Sequence, residues 1–231
     1  MDELERQVTD DGSATLFSTG FNQTFHSRHG AVAESLHVFL AGSGADRRLR
    51  SGLATKVLEV GFGTGLNFLL SAQTALAGNA RLAYVALERD LLPATLVSQL
   101  GYGEYAAAPL EDYLRFRERL GPPPSEGLYR GEITGALLEL RLGDASAIEL
   151  EEDAFDAIYH DAFSPDANPE LWSLEFLARL AAALAPGGTL ATYTVKGEVR
   201  RRLQAAGLQV SKVSGPAGGK REMLIALRTT G

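Results

Sequence analysis

The residues of this chain that could do chemistry are a cluster of glycines and a series of acids, each set where an apolar run ends. In "VLEVGFGTGLNFLL" a strand-forming run meets Gly61, Gly63 and Gly65, and an apolar helical run follows. A glycine turn between strand and helix lets the main chain come close to a ligand, and the helix N-terminus offers free N–H groups. Acids recur downstream: Glu88 in "VALERD", Asp144 in "RLGDA" and Asp161 in "YHDAFSPDANPELWS". Each sits at the carboxyl end of an apolar run, the end at which open α/β sheets bind ligands. Taken singly, G-x-G-x-G is also an ordinary tight turn, and a strand-end acid is also a helix cap. The ordered series of glycine turn, Glu88 and Asp144 on successive strands is what points to a ligand site. The dinucleotide pattern G-x-G-x-x-G fails, because Leu66 occupies its sixth position.

The elements that must position these residues alternate from Lys56 onward. "KVLEV", "RLAYVALE", "ALLELRLGD", "FDAIYHDAF" and "TLATYTV" read as strands, and "GLNFLLSAQTALAG", "LPATLVSQL" and "GEVRRRLQAAG" as helices. "NPELWSLEFLARLAAALAPGG" reads as one helix, with Asn168 as its cap, Pro169 in its first turn and Gly187–Gly188 as its stop. Near-continuous apolar strands separated by helices imply a mostly parallel sheet covered on both faces. The last strands, "LQVSKVS" and "REMLIALR", are joined only by "GPAGGK", which predicts an antiparallel hairpin at a sheet edge. This pattern resembles the class I methyltransferases: an α/β, Rossmann-like, seven-stranded, mostly parallel sheet with an antiparallel edge strand. We expect a single domain over residues 1–231, with residues 1–50 as an N-terminal arm or lid and 101–135 as an insertion loop. The arm carries a possible helix over Ala31–Leu40, and the breaker-rich "GPPPSEG" reads as a loop.

The bulk numbers are those of an ordinary globular protein: 231 residues, 45% hydrophobic and 22% charged. With no cysteine there is neither a disulfide framework nor a thiolate site, which fits a reducing cytoplasm. The acidic, polar start is unlike a signal peptide, and no apolar run approaches the ~20 residues of a membrane span. The histidines, His26, His29, His37 and His160, lack metal-ligand spacing, and no metal is expected. The net charge of -7 argues mildly against nucleic acid, but it conceals basic patches. Arg47, Arg48 and Arg50 form one; Lys196, Arg200, Arg201, Arg202, Lys212, Lys220, Arg221 and Arg228 form another, either able to meet phosphates.

"EVGFGTG" resembles motif I of the methyltransferases that use S-adenosylmethionine (SAM). The resemblance implies that Glu59 and the turn, with Gly61, Gly63, Thr64, Gly65 and Asn67, lie near the methionine part of SAM. It implies Glu88 on the ribose hydroxyls and Asp144 near the adenine amine. Asp161–Pro165 resembles a variant of the Asp/Asn-Pro-Pro-aromatic loop of amine methyltransferases, which makes Asp161 the catalytic candidate as well as a SAM neighbour. An alkylamine is mostly protonated at neutral pH and must lose a proton before attacking a methyl carbon, so a carboxylate that orients the amine and helps accept the proton suits that chemistry. Phe163 and Trp172 could stack on a base or on the adenine; for Trp172 core packing is the other reading.

"EVGFGTGLNFL", "HDAFSPDANPELWS", "GGTLATYT", "VRRRLQAAG" and "GKREMLIA" together resemble the methyltransferase domain of the MnmC family, from about Leu16 to Leu227. That resemblance implies SAM-dependent methylation of the 5-aminomethyl group of a tRNA wobble uridine, giving 5-methylaminomethyl-(2-thio)uridine. His26, Phe163, Pro165, Lys220 and Arg221 are then expected on the substrate side. Bifunctional members carry an FAD-dependent oxidase, whose glycine fingerprint is absent here, so a stand-alone form and a separate supplier of the amine are expected. A SAM enzyme for a small-molecule or protein amine is the alternative reading; a catalytically silent binding module and an NAD oxidoreductase are weaker ones.

Overall fold

A computed structural model describes residues 4–121, 126–219 and 221–230. The arm opens with a three-stranded antiparallel sheet of β1 (Leu4–Val8), β2 (Ala14–Ser18) and β3 (Gln23–Thr24). Helix α1 (Ala31–Glu34) runs into a π-helical stretch over Ser35–Ala41, so the helix expected there is present but widened. Helix α2 (Ala45–Arg50) leads into the main sheet. There follow β4 (Thr55–Val60), α3 (Leu66–Ala77), β5 (Leu82–Glu88), α4 (Ala94–Ser98), α5 (Gly103–Leu120), β6 (Gly127–Ile133), β7 (Ala136–Leu142) and β8 (Phe155–His160). The chain ends with α6 (Leu174–Ala183), β9 (Leu184–Thr192), α7 (Gly197–Ala205), β10 (Gln209–Ser214) and β11 (Glu222–Leu227).

Eight strands line up as β10-β11-β9-β8-β4-β5-β7-β6, where seven were expected. The added strand lies in the stretch anticipated as an insertion loop, which instead carries α5 and β6. β6 pairs antiparallel with β7 across the two-residue link Thr134–Gly135, with Gly135 at φ +86°, the geometry of a tight hairpin. Residues 122–125 of the proline-rich loop fall outside the described residues. At the other edge the hairpin of the last two strands is present, but the antiparallel strand β11 lies one position in, between β9 and β10. Composition explains the order: three of the six residues of "EMLIAL" are buried and none of the polar "QVSKVS", which can face water at the rim.

Alternate residues of the central strands feed two cores. Val57, Tyr84, Ala157 and Tyr159 pack under the arm, α3 and α5; Leu58, Val60, Val85 and Ile158 pack under α6 and α7. The helix expected to begin at Asn168 begins later. Pro169–Trp172 forms a 3-10 turn, and Ser173 caps α6 by accepting from the Phe176 N–H at 3.1 Å. The helix also ends before Gly187–Gly188, passing directly into β9 at Leu184.

Candidate active site

The site forms where β4 lies between β5 and β8, the point at which the chain first winds to one side of the sheet and then crosses to the other. Gly61, just past β4, has φ +88°, and a Cβ there would stand 2.7 Å from the Asp161 carbonyl oxygen. The Asp161 N–H in turn donates to the Val60 carbonyl at 2.9 Å. Glycine turn and Asp161 loop are thus packed backbone to backbone. Gly63, at φ +52°, leaves room for the ring of Phe25, which a Cβ would approach to 2.9 Å.

A cavity of about 1290 Å³ opens over these strand ends. Gly61, Gly63, Glu88, Asp144, Asp161 and Phe163 contribute to its wall, and the arm roofs it with Phe21, Gln23, Phe25 and His26. Glu88 accepts from the Gly63 N–H at 2.9 Å with one oxygen, and from the N–H groups of Arg89 and Asp90 at 2.7 and 3.0 Å with the other. Burial raises its pKa against the pull of those three bonds. Asp144 accepts from the Ser146 hydroxyl at 2.7 Å and its N–H at 2.9 Å, and these bonds lower its pKa. Two oriented carboxylates on neighbouring strands, beside a turn whose main chain borders the cavity, match the hydroxyls and exocyclic amine of an adenosine. The wall therefore fits SAM.

Four residues expected on the cofactor, Glu59, Thr64, Gly65 and Asn67, do not form the wall; they lie one layer behind it. Glu59 is fully buried, accepting from Asn67 Nδ2 at 2.8 Å and from the Tyr84 hydroxyl at 2.9 Å. Burial pushes its pKa up to about 8, against the pull of those two bonds. Asn67 Nδ2 also donates to Asp161 Oδ2 at 2.9 Å. Thr64 receives the Tyr102 hydroxyl at 3.0 Å and meets His26 Nε2 at 3.5 Å, while His26 Nδ1 meets the Thr15 hydroxyl at 3.0 Å. Burial lowers the His26 pKa to about 4, so the ring is a neutral tie between arm and glycine turn.

On the substrate side, Phe163 stacks on Phe21 with centroids 4.3 Å apart and meets Phe25 edge-on at 5.2 Å. Pro165 is buried and away from the cavity wall. Trp172 is a core residue; its Nε1 donates to the Phe163 carbonyl at 2.8 Å and holds the loop. Lys220 lies outside the described residues. Arg221 is exposed on the β10–β11 link, at the same end of the sheet as the cavity but off its wall. The other arginine cluster sits at the opposite end: Arg48 pairs with Asp156 at 2.8 Å, at the start of β8, and Arg50 with Asp46 at 2.7 Å. Arg202 donates to the Trp172 carbonyl and Arg228 to the carbonyls that end α6, so both brace the fold, while Arg200 and Arg201 are exposed. Sequence reasoning missed the arm's share: Gln23 Nε2 donates to Ser164 Oγ at 2.7 Å, and the Ser164 N–H returns a bond to Gln23 Oε1 at 3.2 Å. It also missed Tyr193, whose hydroxyl donates to the Ala162 carbonyl at 2.9 Å. "STGFNQTF" held the signal, an aromatic–amide cluster in an otherwise polar lead-in.

Strand order, glycine turn and strand-end acids define a Rossmann-like methyltransferase that uses S-adenosyl-L-methionine. A family model described as "S-adenosyl-L-methionine-dependent methyltransferase" matches residues 115–229. Over 230 residues the chain is 36% identical to a protein of Ralstonia nicotianae, covering 95% of this chain and 34% of that one. Over 236 residues it is 38% identical to a protein of Aromatoleum aromaticum, covering 96% and 35%. Both are named tRNA 5-methylaminomethyl-2-thiouridine biosynthesis bifunctional protein MnmC. The crystal structure of MNMC2 from Aquifex aeolicus superposes with a TM-score of 0.78 at 29% identity, covering 98% of this chain and 70% of that one. Over nearly its whole length the chain is similar to proteins named MnmC. It spans about a third of the length of the curated relatives it matches, 34% and 35% of these two.

Proposed function

We propose that this domain methylates the amine of a 5-aminomethyl group on the wobble uridine of tRNA, giving the 5-methylaminomethyl-(2-thio)uridine product, with Asp161 receiving the amine. The observation that carries this reading is the placement of the Asp161 carboxylate on the wall of the cavity, held through its own backbone and through Asn67. SAM, when bound, supplies a methyl group on a positively charged sulfur, which departs as a neutral thioether. Transfer to the amine would form an N–C bond as the donor's C–S bond breaks, the sulfur keeping the electron pair.

Asp161 orients the substrate nitrogen and helps take the proton that the ammonium must lose before attack. Glu88 and Asp144 hold the nucleoside part of the donor, so most of the rate comes from the alignment of two reactants. The stacked Phe21 and Phe163 border the space for the base, and the exposed Arg28 and Arg89 stand at the cavity within reach of a phosphate backbone. Because the nucleophile is a primary amine, a reaction that installs that amine on the uridine must come first.

The test is transfer of labelled methyl from SAM to tRNA bearing 5-aminomethyluridine, by the wild type and by Asp161→Ala. The expected result is label in the wobble nucleoside with the wild type and its loss with the variant, SAM binding being retained in both. An unlabelled tRNA with the wild type would overturn the substrate. Labelling of a co-purified acceptor that survives ribonuclease would favour a protein or small-molecule amine instead.

A further inference from the structure

Asn67 sits in the first turn of α3 with 2% of its surface exposed, yet it does not cap that helix. Its side chain reaches two carboxylates on two different strands. Nδ2 stands 2.8 Å from Glu59 Oε1 and 2.9 Å from Asp161 Oδ2, so its two hydrogens serve one acceptor each. The reverse amide orientation would aim an oxygen at the Asp161 carboxylate, so that contact fixes the amide. The other oxygen of Glu59 is held by the Tyr84 hydroxyl, deep in the sheet, at 2.9 Å. A continuous chain of hydrogen bonds thus runs Tyr84–Glu59–Asn67–Asp161, from the core to the cavity wall. Asn67 itself does not line the cavity, so it reaches the reaction only through Asp161.

We infer that Asn67 is a positioning residue, anchored on Glu59, which sets the orientation and proton affinity of the Asp161 carboxylate. The inference rests on the reading of Asp161 as the group that receives the amine. It gives Glu59 and Asn67 a purpose other than contact with SAM. Glu59 is the fixed support, and it holds its proton near neutrality through burial, so the bridge does not set a second full charge beside Asp161. Asn67 delivers one N–H to Asp161. Removing an N–H donor from a carboxylate favours its protonated form, so the loss of Asn67 shows in the pH dependence as well as in the rate.

The experiment compares Asn67→Leu and Asn67→Ser, each alone and combined with Asp161→Ala, for SAM affinity, kcat, KM for the aminomethyl-tRNA and the pH–rate profile. Serine is too short to span the two carboxylates and keeps a polar atom should leucine prevent folding. The expected result is a kcat lowered about 10- to 100-fold, the loss of one hydrogen bond to a charged group. SAM affinity should stay within about 3-fold, the acidic limb of the profile should move to higher pH, and no further loss should appear in the Asp161→Ala background. Wild-type kcat with an unmoved acidic limb would overturn the inference, as would a loss that multiplies with that of Asp161→Ala. Weakened SAM binding with kcat intact would return Asn67 to the cofactor. If Asp161→Ala alone keeps full activity, the reading of Asp161 fails, a result distinct from any effect of Asn67.

Discussion

Glu59→Gln isolates the proton that the fold forces onto a buried acid. Glu59 has an ordinary pKa of 4.5 and is pushed up to about 8 in the folded chain. Between those values the folded state holds a proton that the unfolded chain has released, so stability falls as pH rises, by about 1.4 kcal/mol per pH unit. Glutamine keeps the shape and an oxygen for Asn67 but has nothing to titrate. His26 and His160, lowered by burial to about 4 and about 3, act the opposite way. The unfolded chain takes up protons on both below pH about 6.5, so their contribution is lost as pH falls. These terms are common to the two proteins and cancel in the difference. Urea unfolding of both without ligand, at pH about 6, 7 and 8, should therefore show the variant gaining on the order of 2 to 3 kcal/mol relative to wild type from the first pH to the last. The gain should level off above pH about 8. A difference that stays constant across the range would mean that Glu59 has the same charge folded and unfolded, and that burial forces no proton onto it.

Gly61→Ala forces a strained φ and a Cβ 2.7 Å from the Asp161 carbonyl; it should lower stability by roughly 1 to 3 kcal/mol and displace Asp161, read as a lower Tm with methyl transfer reduced more than SAM binding. Ser173→Ala removes the cap of α6 and should cost about 1 kcal/mol in urea unfolding while SAM affinity is kept. Gln23→Ala breaks both bonds to Ser164, and hydrogen exchange should speed up in β2, β3 and the 161–168 loop but not in β4 or β5.

The central strands were legible because each is a short apolar run ending in chemistry: "KVLEV" before the glycines, "RLAYVALE" at its own acid. Asp144 and Asp161 were legible for the same reason. β6 was not, because "GLYRGEI" is half polar and packs only one edge, which leaves little periodic signal. The N-cap at Ser173 was hidden behind Asn168–Pro169, an equally good start that the chain spends on a 3-10 turn. The layer to which Glu59 and Asn67 belong could not be read either. Motif spacing puts residues at a strand end but does not say which faces the ligand and which supports it, since that depends on partners such as Tyr84, 25 residues from Glu59 in the chain.

The roof of the cavity also has a consequence for how the molecule is made. Gln23 is synthesised 141 residues before its partner Ser164, and the carbonyl of Ala14 receives the Tyr102 hydroxyl across 88. Closures of that length form slowly, and the Gln23–Ser164 pair needs the loop that follows β8 to be in place. The arm is then expected to settle after the sheet it covers. A chain that stops short of Ser164 lacks the partner through which Gln23 holds the arm over the cavity.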